Sequence, residues 1–155
     1  MLKLNLGCGT KLMDGYINID IRPLNDQILV GDVASLPYDN ETVDEIYASD
    51  IYEHIGHVRS QELLNHWVSK LKRGGKLLIH TSNLNGLCEF VLKQKTIKGI
   101  QEGLRRMYGM DYVGGWHLTA GHPDLIRHYL NIAGINGDIK ITEHEGWLLW
   151  IEATK

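Results

Sequence analysis

The sequence predicts one α/β domain built on a mostly parallel sheet, and three observations support this prediction. Short apolar segments alternate with segments of helical periodicity along the 155 residues. The first apolar segment ends in Gly7-Cys8-Gly9, and the next two end in Asp20 and Asp32. Because the carboxyl ends of parallel strands meet at one edge of a sheet, these glycines and acids indicate a ligand site at that edge.

Seven segments are predicted as strands from their apolar and β-branched content. They are Leu2–Leu6, Tyr16–Asp20, Gln27–Val30, Val43–Ser49, Lys76–Thr81, Asp138–Glu143 and Trp147–Ala153. The last two are joined only through His144-Glu145-Gly146, so they are expected to pair as an antiparallel hairpin. The sheet should therefore contain seven strands, with one antiparallel to the rest.

Four helices are predicted from apolar residues that recur at helical spacing. They are Arg59–Lys72, Pro123–Ala133 and, with weaker periodicity, Asn85–Lys95 and Ile100–Met107. Gly74-Gly75 is expected to end the first of these helices, and Pro123 is suited to the first turn of the helix over Pro123–Ala133. The loop over residues 108–121 is rich in glycine and aromatic residues, and loops of this length are usually functional.

Composition narrows the class of protein. The formal net charge of −3 argues against general nucleic-acid binding, and no apolar run approaches the length of a membrane span. No signal-peptide pattern is present, and the two cysteines form neither a CxxC pair nor a disulfide framework, which favours a reducing cytoplasm. Residues 91–106 are strongly basic. They form either a solvated helix face or a surface that attracts an anionic substrate.

The Gly7-Cys8-Gly9 segment is either a tight strand exit or a loop that passes close to a ligand. An acid such as Asp20 can accept two hydrogen bonds from a ribose diol. A dinucleotide fits poorly, because Leu12 stands where a third glycine is expected and Asp20 follows Gly9 by only eleven residues. There is little room for a helix that could hold a pyrophosphate, so a cofactor with a ribose and a base but no phosphate fits better.

Several motifs in order carry a family resemblance. They are Leu4–Thr10, Gly15–Asp20, Gly31–Val33 with Leu36-Pro37, Val43–Ala48, Tyr52–Ile55 and Leu71–Leu77. With these motifs the chain resembles the class I S-adenosylmethionine-dependent methyltransferases, in particular a short bacterial and phage branch (methyltransferase type 11-like) often found near polysaccharide genes. The resemblance spans residues 1–85 well and continues weakly beyond. It implies a Rossmann-like sheet of seven strands with a C-terminal antiparallel hairpin.

The resemblance also implies a cofactor site for S-adenosyl-L-methionine. Its cofactor-binding residues would be Gly7, Cys8, Gly9, Asp20, Ile21, Asp32, Val33 and Ser49. The glycines would pass beneath the methionine portion, and Asp20 would hold the ribose hydroxyls. Asp32 would accept from the adenine amino group, with Val33 beside the ring. Residues 48–50 would line the methyl end.

The given sequence departs from the family in having no helices before its first strand, where relatives often carry a lid. Residues 84–121 are therefore expected to form a substrate-facing insertion within a single domain over residues 1–155. Tyr108, Tyr112 and Trp116 in this segment could stack on a sugar ring, and the neighbouring basic residues favour a phosphate. A phosphorylated or nucleotide-linked sugar is thus one candidate acceptor.

Three residues are candidates for catalysis. His117 is the leading candidate on the acceptor side, with a plain loop histidine as the alternative. His54 beside Glu53 could act as a general base or belong to a structural pair at the exit of the fourth strand. Asp50 could orient an acceptor hydroxyl or cap the following turn. His80 is expected to be a satisfied core histidine.

No metal site is predicted, because the His54-x-x-His57 spacing has no evident third ligand. The function expected from the sequence is methyl transfer from S-adenosylmethionine to a small-molecule or saccharide-like acceptor, with no nucleic-acid or membrane partner. The alternatives are a catalytically silent binding module with the same fold and, less favoured, a nicotinamide oxidoreductase. The oligomeric state is open, with a homodimer as one option.

Overall fold

The computed structural model describes residues 1–111 and 115–155. Seven strands form one sheet, and its strand order is β3-β2-β1-β4-β5-β7-β6. The strands are β1 Lys3–Leu6, β2 Ile17–Asp20, β3 Ile28–Val30, β4 Val43–Ser49, β5 Leu71–Ser82, β6 Ile139–His144 and β7 Leu148–Thr154. The helices are α1 Ser60–Lys70, α2 Leu84–Lys93, α3 Ile97–Tyr108 and α4 Pro123–Ile132, with short 3₁₀ turns at Tyr52–His54 and His57–Arg59.

The predicted fold class is confirmed. Strands β1 to β5 pair in parallel, whereas β7 is antiparallel to both β5 and β6. The hairpin turn between β6 and β7 uses Glu145 and Gly146, which both have positive φ (51° and 76°). All four predicted helices form, although α3 begins at Ile97, three residues before the predicted start, because the side chain of Thr96 caps it by accepting from Gly99 N at 3.1 Å.

The predicted stop at Gly74-Gly75 is wrong, because α1 ends at Lys70 and β5 begins at once with Leu71. Leu71 pairs with Val43 of β4, which draws the chain into the sheet before the glycines are reached. Gly74 N donates to Lys155 O at 2.6 Å, and Lys155 N donates to Gly75 O at 3.0 Å. The two glycines therefore lie within the sheet and do not end a helix.

The core lies between one face of the sheet and helices α1 and α4. Leu6, Ile46 and Ile79 point from the sheet into this core, and all are fully buried. Trp67 of α1 is also fully buried, and its indole N–H donates to Val33 O at 2.9 Å. This bond anchors the exit of β3 to the helix layer, so the apolar core also positions one end of the candidate ligand edge.

The opposite face of the sheet is partly open, because residues 1–50 contain no helix that could cover it. A row of rings crosses this face from β4 to β6. The Trp150 indole stacks between the imidazoles of His80 and His144 at centroid distances of 4.6 and 4.2 Å. His80 is thus satisfied by Tyr47 and Trp150, but it lies on the face away from the core, contrary to the prediction. No helix among the described residues has the length and apolar character needed to cross a bilayer.

Gly86 fixes the position of α2 against the β6–β7 turn. A Cβ atom at Gly86 would lie 1.6 Å from the carbonyl oxygen of Gly146, which is backbone and cannot rotate away. We expect Gly86→Ala to lower the free energy of unfolding by about 1–3 kcal/mol or more, as for other overpacked sites. Urea denaturation of the variant and the wild type measures this difference.

Gly56→Ala is the matched control, because a Cβ atom there meets nothing within 4 Å and the φ of −57° suits any residue. Its free energy of unfolding should stay within about 0.5 kcal/mol of the wild type or rise slightly. Equal effects of the two substitutions would contradict the packing described for α2.

Candidate functional site

A cleft of about 530 Å³ lies at the carboxyl edge of β1 to β5. The end of α3, the loop after it and the β6–β7 turn close its far side. The described residues that line it include Gly7, Asp20, Ile21, Arg22, Asp32, Val33, Asp50, Ile51, His54, Ser82, Arg105, Arg106, Met110, His117 and Trp147. A pocket of this size, with a few polar groups directed inward, suits a small ligand.

Eight of the eleven predicted site residues line this cleft together. The other three, Cys8, Gly9 and Ser49, line a neighbouring cavity of about 500 Å³. Gly7, Arg22 and Asp50 border both spaces. The predicted cofactor residues are therefore close together in space, but the glycine loop and the side chain of Arg22 divide them between two cavities.

The Asp20 carboxylate is the most strongly bonded group of the site. It is 3% exposed and accepts from Gly9 N at 2.8 Å and from Arg22 N at 2.9 Å. The Arg22 guanidinium completes the set, with Nε 3.0 Å from Oδ1 and Nη2 3.4 Å from Oδ2. Burial opposes the charge, but the bonds from Arg22 and Gly9 outweigh it and hold the pKa of Asp20 below its usual value.

The glycine loop is held in a conformation that needs glycine. Gly7 and Gly9 have φ values of 61° and 53°, which most side chains resist. A Cβ atom at Gly7 would lie 2.7 Å from the Ile51 side chain, so Ile51 fills the close approach that Gly7 permits. The nearest group to such an atom at Gly9 is Arg22 Nη2, at 3.7 Å. The side chains of Ile51 and Arg22 thus lie over the glycine loop.

The third strand exit presents Asp32 and Val33 to the cleft. Asp32 Oδ1 accepts from Ala34 N at 2.8 Å, which orients the carboxylate. Val33 is buried, whereas Ile21 at the neighbouring exit is 69% exposed. An acid and an apolar side chain adjacent to each other can hold a base by its amino group and its ring.

Asp50 lies directly after β4 and has a φ of 55°, uncommon for a residue with a side chain. Its carboxylate accepts from Lys11 Nζ at 3.4 Å and from Ser49 Oγ at 3.3 Å. It does not cap the following 3₁₀ turn, for which Ile51 is the N-cap residue. The unusual backbone directs Asp50 toward both cavities, where it can accept from a ligand.

Two histidines from distant parts of the chain meet at the cleft wall. The rings of His54 and His117 make an edge-to-face contact with centroids 5.0 Å apart. His54 Nδ1 lies 2.8 Å from Trp116 O, and His117 Nδ1 lies 3.1 Å from Arg106 O. A carbonyl oxygen only accepts, so Nδ1 carries a proton in both rings, and Nε2 is the nitrogen that is left to accept or donate one. Burial and the neighbouring His54 lower the pKa of His117, which keeps it neutral near pH 7.

Glu53 lines the cleft beside His54 and also has a structural role. The residue is 3% exposed; its carboxyl group accepts from Thr81 Oγ1 at 2.9 Å, and its backbone oxygen accepts from Leu118 N and Thr119 N at 2.7 and 3.1 Å. Glu53 thus ties the exit of β4 to β5 and to the loop that carries His117. Burial raises its pKa to about 7.

The sequence reading did not identify Arg22, Ile51 or Trp147 as cleft residues. The Arg106 guanidinium lies over the Trp147 ring at 4.2 Å and over the Phe90 ring at 4.7 Å, so the basic segment and the hairpin turn meet here. The sequence could have predicted the position of Trp147. This residue directly precedes β7, and because β7 is antiparallel to β5 it must begin at the edge of the sheet where β5 ends.

Two of the three aromatic residues that are predicted to stack on a sugar ring do not line the cleft. Tyr108 and Trp116 are 56% and 51% exposed and are not among the residues that line the cleft. Tyr112 lies outside the described residues. Within residues 1–111 and 115–155, no group of three or more His, Cys, Asp or Glu side chains is arranged to hold a metal ion.

Solved structures share this architecture over nearly the whole chain. A SAM-dependent methyltransferase from Archaeoglobus fulgidus superposes with a TM-score of 0.65 at 16% identity, with 99% of this chain and 85% of that chain covered. One from Methanosarcina mazei gives 0.64 at 16% identity, with 99% and 91% covered. The chain has the fold of the S-adenosylmethionine-dependent methyltransferases. No protein-family model and no curated protein sequence matches it.

A third structure with this methyltransferase fold has ligands bound. Phosphoethanolamine N-methyltransferase 2 of Haemonchus contortus was solved with phosphomonomethylethanolamine and S-adenosylhomocysteine. It superposes with a TM-score of 0.61 at 10% identity, and this chain covers 49% of its length. At such identities the likeness establishes the methyltransferase fold and leaves the acceptor open.

The raised pKa of Glu53 gives a prediction for stability against pH. The unfolded carboxyl loses its proton near its ordinary pKa of about 4.5, whereas the folded one keeps its proton up to about 7. The associated stability is complete below the unfolded pKa and is lost as the pH rises to about 7, by on the order of 3 kcal/mol. Glu53→Gln removes this titration, so the variant should gain on the wild type over that interval. Urea denaturation between about pH 4.5 and pH 8 measures the difference.

Glu62→Gln provides the control, since it makes the same chemical change on the exposed face of α1. Its difference from the wild type over the same pH interval is the reference against which the gain of Glu53→Gln is measured. A pH-independent difference for Glu53→Gln would mean that the Glu53 carboxyl is charged in the folded protein.

Proposed function

We propose that this protein transfers the methyl group of S-adenosylmethionine to a small-molecule acceptor with a hydroxyl or amine nucleophile. The observation that carries the proposal is the presence of Gly7, Asp20 and Asp32 at three adjacent strand exits on one cleft of a methyltransferase fold. A ribose diol and an adenine amino group both need acceptors, and Asp20 and Asp32 supply them. The cleft volume suits a ligand of this size.

The residues at the cleft fit the cofactor, with one rearrangement. The Asp20 carboxylate is already bonded to the Arg22 side chain, so a ribose that binds Asp20 competes with the guanidinium. The Gly9 N–H and Arg22 N–H bonds come from backbone and can remain. Arg22 has a long, flexible side chain, so its displacement requires no change in the sheet.

S-adenosylmethionine, when bound, supplies a methyl group on a positively charged sulfur that is already a good leaving group. The protein's own task is to align the acceptor with that methyl group and to exclude water. A hydroxyl or amine nucleophile must also lose a proton, and a positioned base contributes to this step.

His117 and His54 are the proposed bases at the acceptor side. The backbone carbonyls of Arg106 and Trp116 fix the tautomer in which Nε2 accepts a proton. The lowered pKa of His117 keeps this nitrogen unprotonated at neutral pH. Asp50, beside the same cavity, would orient the acceptor. Arg105 and Arg106 line this wall and both pair with Glu102, so the three side chains together carry a net charge of +1. This charge favours an anionic acceptor, such as a phosphorylated or nucleotide-linked sugar.

The alternative is a module that keeps the fold and binds without catalysis. The buried, fully bonded Asp20 has a structural role that such a module would also need. The Nδ1 bonds of His54 and His117 also join distant segments, but they leave the Nε2 of each ring at the cleft wall, which a binding module would not need. The pair therefore favours the enzyme.

Asp20→Ala should weaken the binding of S-adenosylhomocysteine by about 1.5–3 kcal/mol, the range for losing hydrogen bonds to a charged acceptor. Isothermal titration measures the affinity of the variant and the wild type. Asp26→Ala removes an exposed acid at the opposite end of the neighbouring β3 and serves as the control. NAD, titrated in parallel, should not bind.

S-adenosylhomocysteine and NAD also discriminate between the proposed function and its nicotinamide alternative in a thermal unfolding experiment. At 100 times its dissociation constant, S-adenosylhomocysteine should stabilise the wild type by about 2.7 kcal/mol. Stabilisation by NAD but not by S-adenosylhomocysteine would replace methyl transfer with nicotinamide chemistry. If neither ligand stabilises the protein, the proposed cofactor site is wrong.

His117→Ala should lower kcat by about 10²–10⁴-fold, the usual contribution of a general base, while leaving the affinity for S-adenosylhomocysteine nearly unchanged. Release of S-adenosylhomocysteine can be followed over a panel of sugar phosphates, nucleotide-linked sugars and phosphorylated amino alcohols. His128→Ala, at an exposed position of α4, is the control. Unchanged turnover in His117→Ala would exclude His117 as the base.

A further inference from the structure

Helix α3 presents an apolar stripe that no other part of the described structure covers. Ile97, Ile100, Leu104 and Tyr108 follow the 3-4-4 spacing of one helix face. They are 74%, 40%, 47% and 56% exposed. We call these four residues the α3 stripe. Soluble proteins rarely expose large apolar residues in a continuous line, and such lines mark interaction surfaces.

The inner face of α3 is already satisfied, so the α3 stripe is not a displaced core face. Gly103 packs against Val91 of α2, where a Cβ atom would lie only 2.8 Å from the valine methyl. Arg106 on the same side stacks on Phe90 and Trp147. The stripe lies on the outward side of this packed pair of helices.

Further large apolar residues are exposed in the segments that flank α3. Leu92 at the end of α2 is 78% exposed, and Trp116 and Leu118 in the following loop are 51% and 57% exposed. Tryptophan and tyrosine near the margin of an apolar surface are typical of contact with a membrane–water interface.

The charge around the α3 stripe has the opposite sign to the rest of the protein. Residues 89–106 carry five basic side chains and the acids Glu89 and Glu102, a net charge of +3. Because the whole chain carries −3, the remainder carries −6. Lys93 pairs with Glu89, and Arg105 and Arg106 both pair with Glu102, so among the described residues Lys95 and Lys98 are the basic side chains of this segment that have no ion-pair partner. Lys98 lies about 100° around α3 from Ile97, where a long side chain can reach past an apolar contact. The complement of this surface is therefore anionic and apolar.

We propose that the α3 stripe docks the protein on the surface of an anionic lipid bilayer. A helix with an apolar stripe and a basic flank lies in the plane of the interface, with the stripe among the upper acyl chains and the lysines at the headgroups. The sequence-based expectation of no membrane partner rested on the lack of a spanning segment, and docking of this kind needs none.

Two features favour a bilayer over other occupants. A second copy of this chain would bring two positively charged surfaces together, and like charges oppose that contact. A protein partner would usually receive an amphipathic helix in a groove. The inner side of α3 is packed against α2 at Gly103, so the helix presents the α3 stripe alone, and a single exposed face suits a flat layer better than a groove.

The position of the stripe relates docking to the cleft. Arg105 and Arg106 of α3 line the cleft, as does Met110 directly after it. A bilayer against the α3 stripe would therefore lie beside the cleft, and an acceptor could enter from the membrane surface. This consequence for the acceptor rests on the proposed function, whereas the docking itself does not.

Vesicle flotation tests the docking with the whole 155-residue chain and no cofactor. We expect the protein to float with vesicles of phosphatidylcholine mixed with phosphatidylglycerol, and much less with phosphatidylcholine alone or at high salt. Ile100→Ser combined with Leu104→Ser should lower the vesicle association constant by about tenfold or more. Lys95→Gln and Lys98→Gln should each lower it by about fivefold.

The control pair is Leu125→Ser combined with Ile132→Ser on α4. These residues are 43% and 57% exposed, close to the 40% and 47% of Ile100 and Leu104, so the same chemistry is removed elsewhere. This pair should float like the wild type. All variants should keep the thermal unfolding of the wild type, because the substituted side chains are exposed.

Three results would overturn the proposal. They are no flotation of the wild type with either vesicle, equal losses in the stripe and control pairs, and sedimentation of the wild type as a dimer that the stripe pair dissociates. The last result would assign the stripe to a second copy of the chain. Flotation without any binding of S-adenosylhomocysteine would keep the docking and remove the proposed function, so the two proposals fail separately.

Discussion

The carboxylate of Asp20 is the group on which the ligand edge of this protein depends. It is buried, and it fastens the glycine loop to the exit of β2 through Gly9 N and Arg22 N. Two backbone bonds, Cys8 N to Ile19 O and Gly31 N to Asp20 O, extend the connection to the first and third strand exits. Removing a partner from a buried charge typically costs 3–5 kcal/mol, so the geometry of three strand ends relies on one ionised side chain.

The same carboxylate is the proposed ribose acceptor, so folding and binding use one group. The Arg22 side chain satisfies it in the structure and would have to yield part of that contact to a ligand. Ile51 similarly fills the approach to Gly7. Cofactor binding would therefore exchange intramolecular contacts for ligand contacts, and the affinity would reflect the difference between them.

The acceptor side is assembled in another way, from chain segments that are far apart. His54, Arg106, His117 and Trp147 come from four different segments and meet through backbone carbonyls and ring contacts. Glu53 secures this assembly, since its backbone oxygen holds Leu118 N and Thr119 N. Arg106 belongs to α3, and the outward side of that helix carries the α3 stripe. The wall of the cleft and the proposed bilayer contact are therefore two faces of one helix.

The sequence by itself determined the α/β class, the seven strands, the hairpin and the two acids at strand exits. Apolar runs and turn residues act locally, and parallel strands must bring their carboxyl ends to one edge. Only the tertiary structure decided that α1 ends at Lys70, that Arg22 holds Asp20, and that Cys8 and Ser49 face a second cavity. Those outcomes depend on partners distant in the chain, such as Val43 for Leu71, and a local pattern does not encode which distant residues will meet.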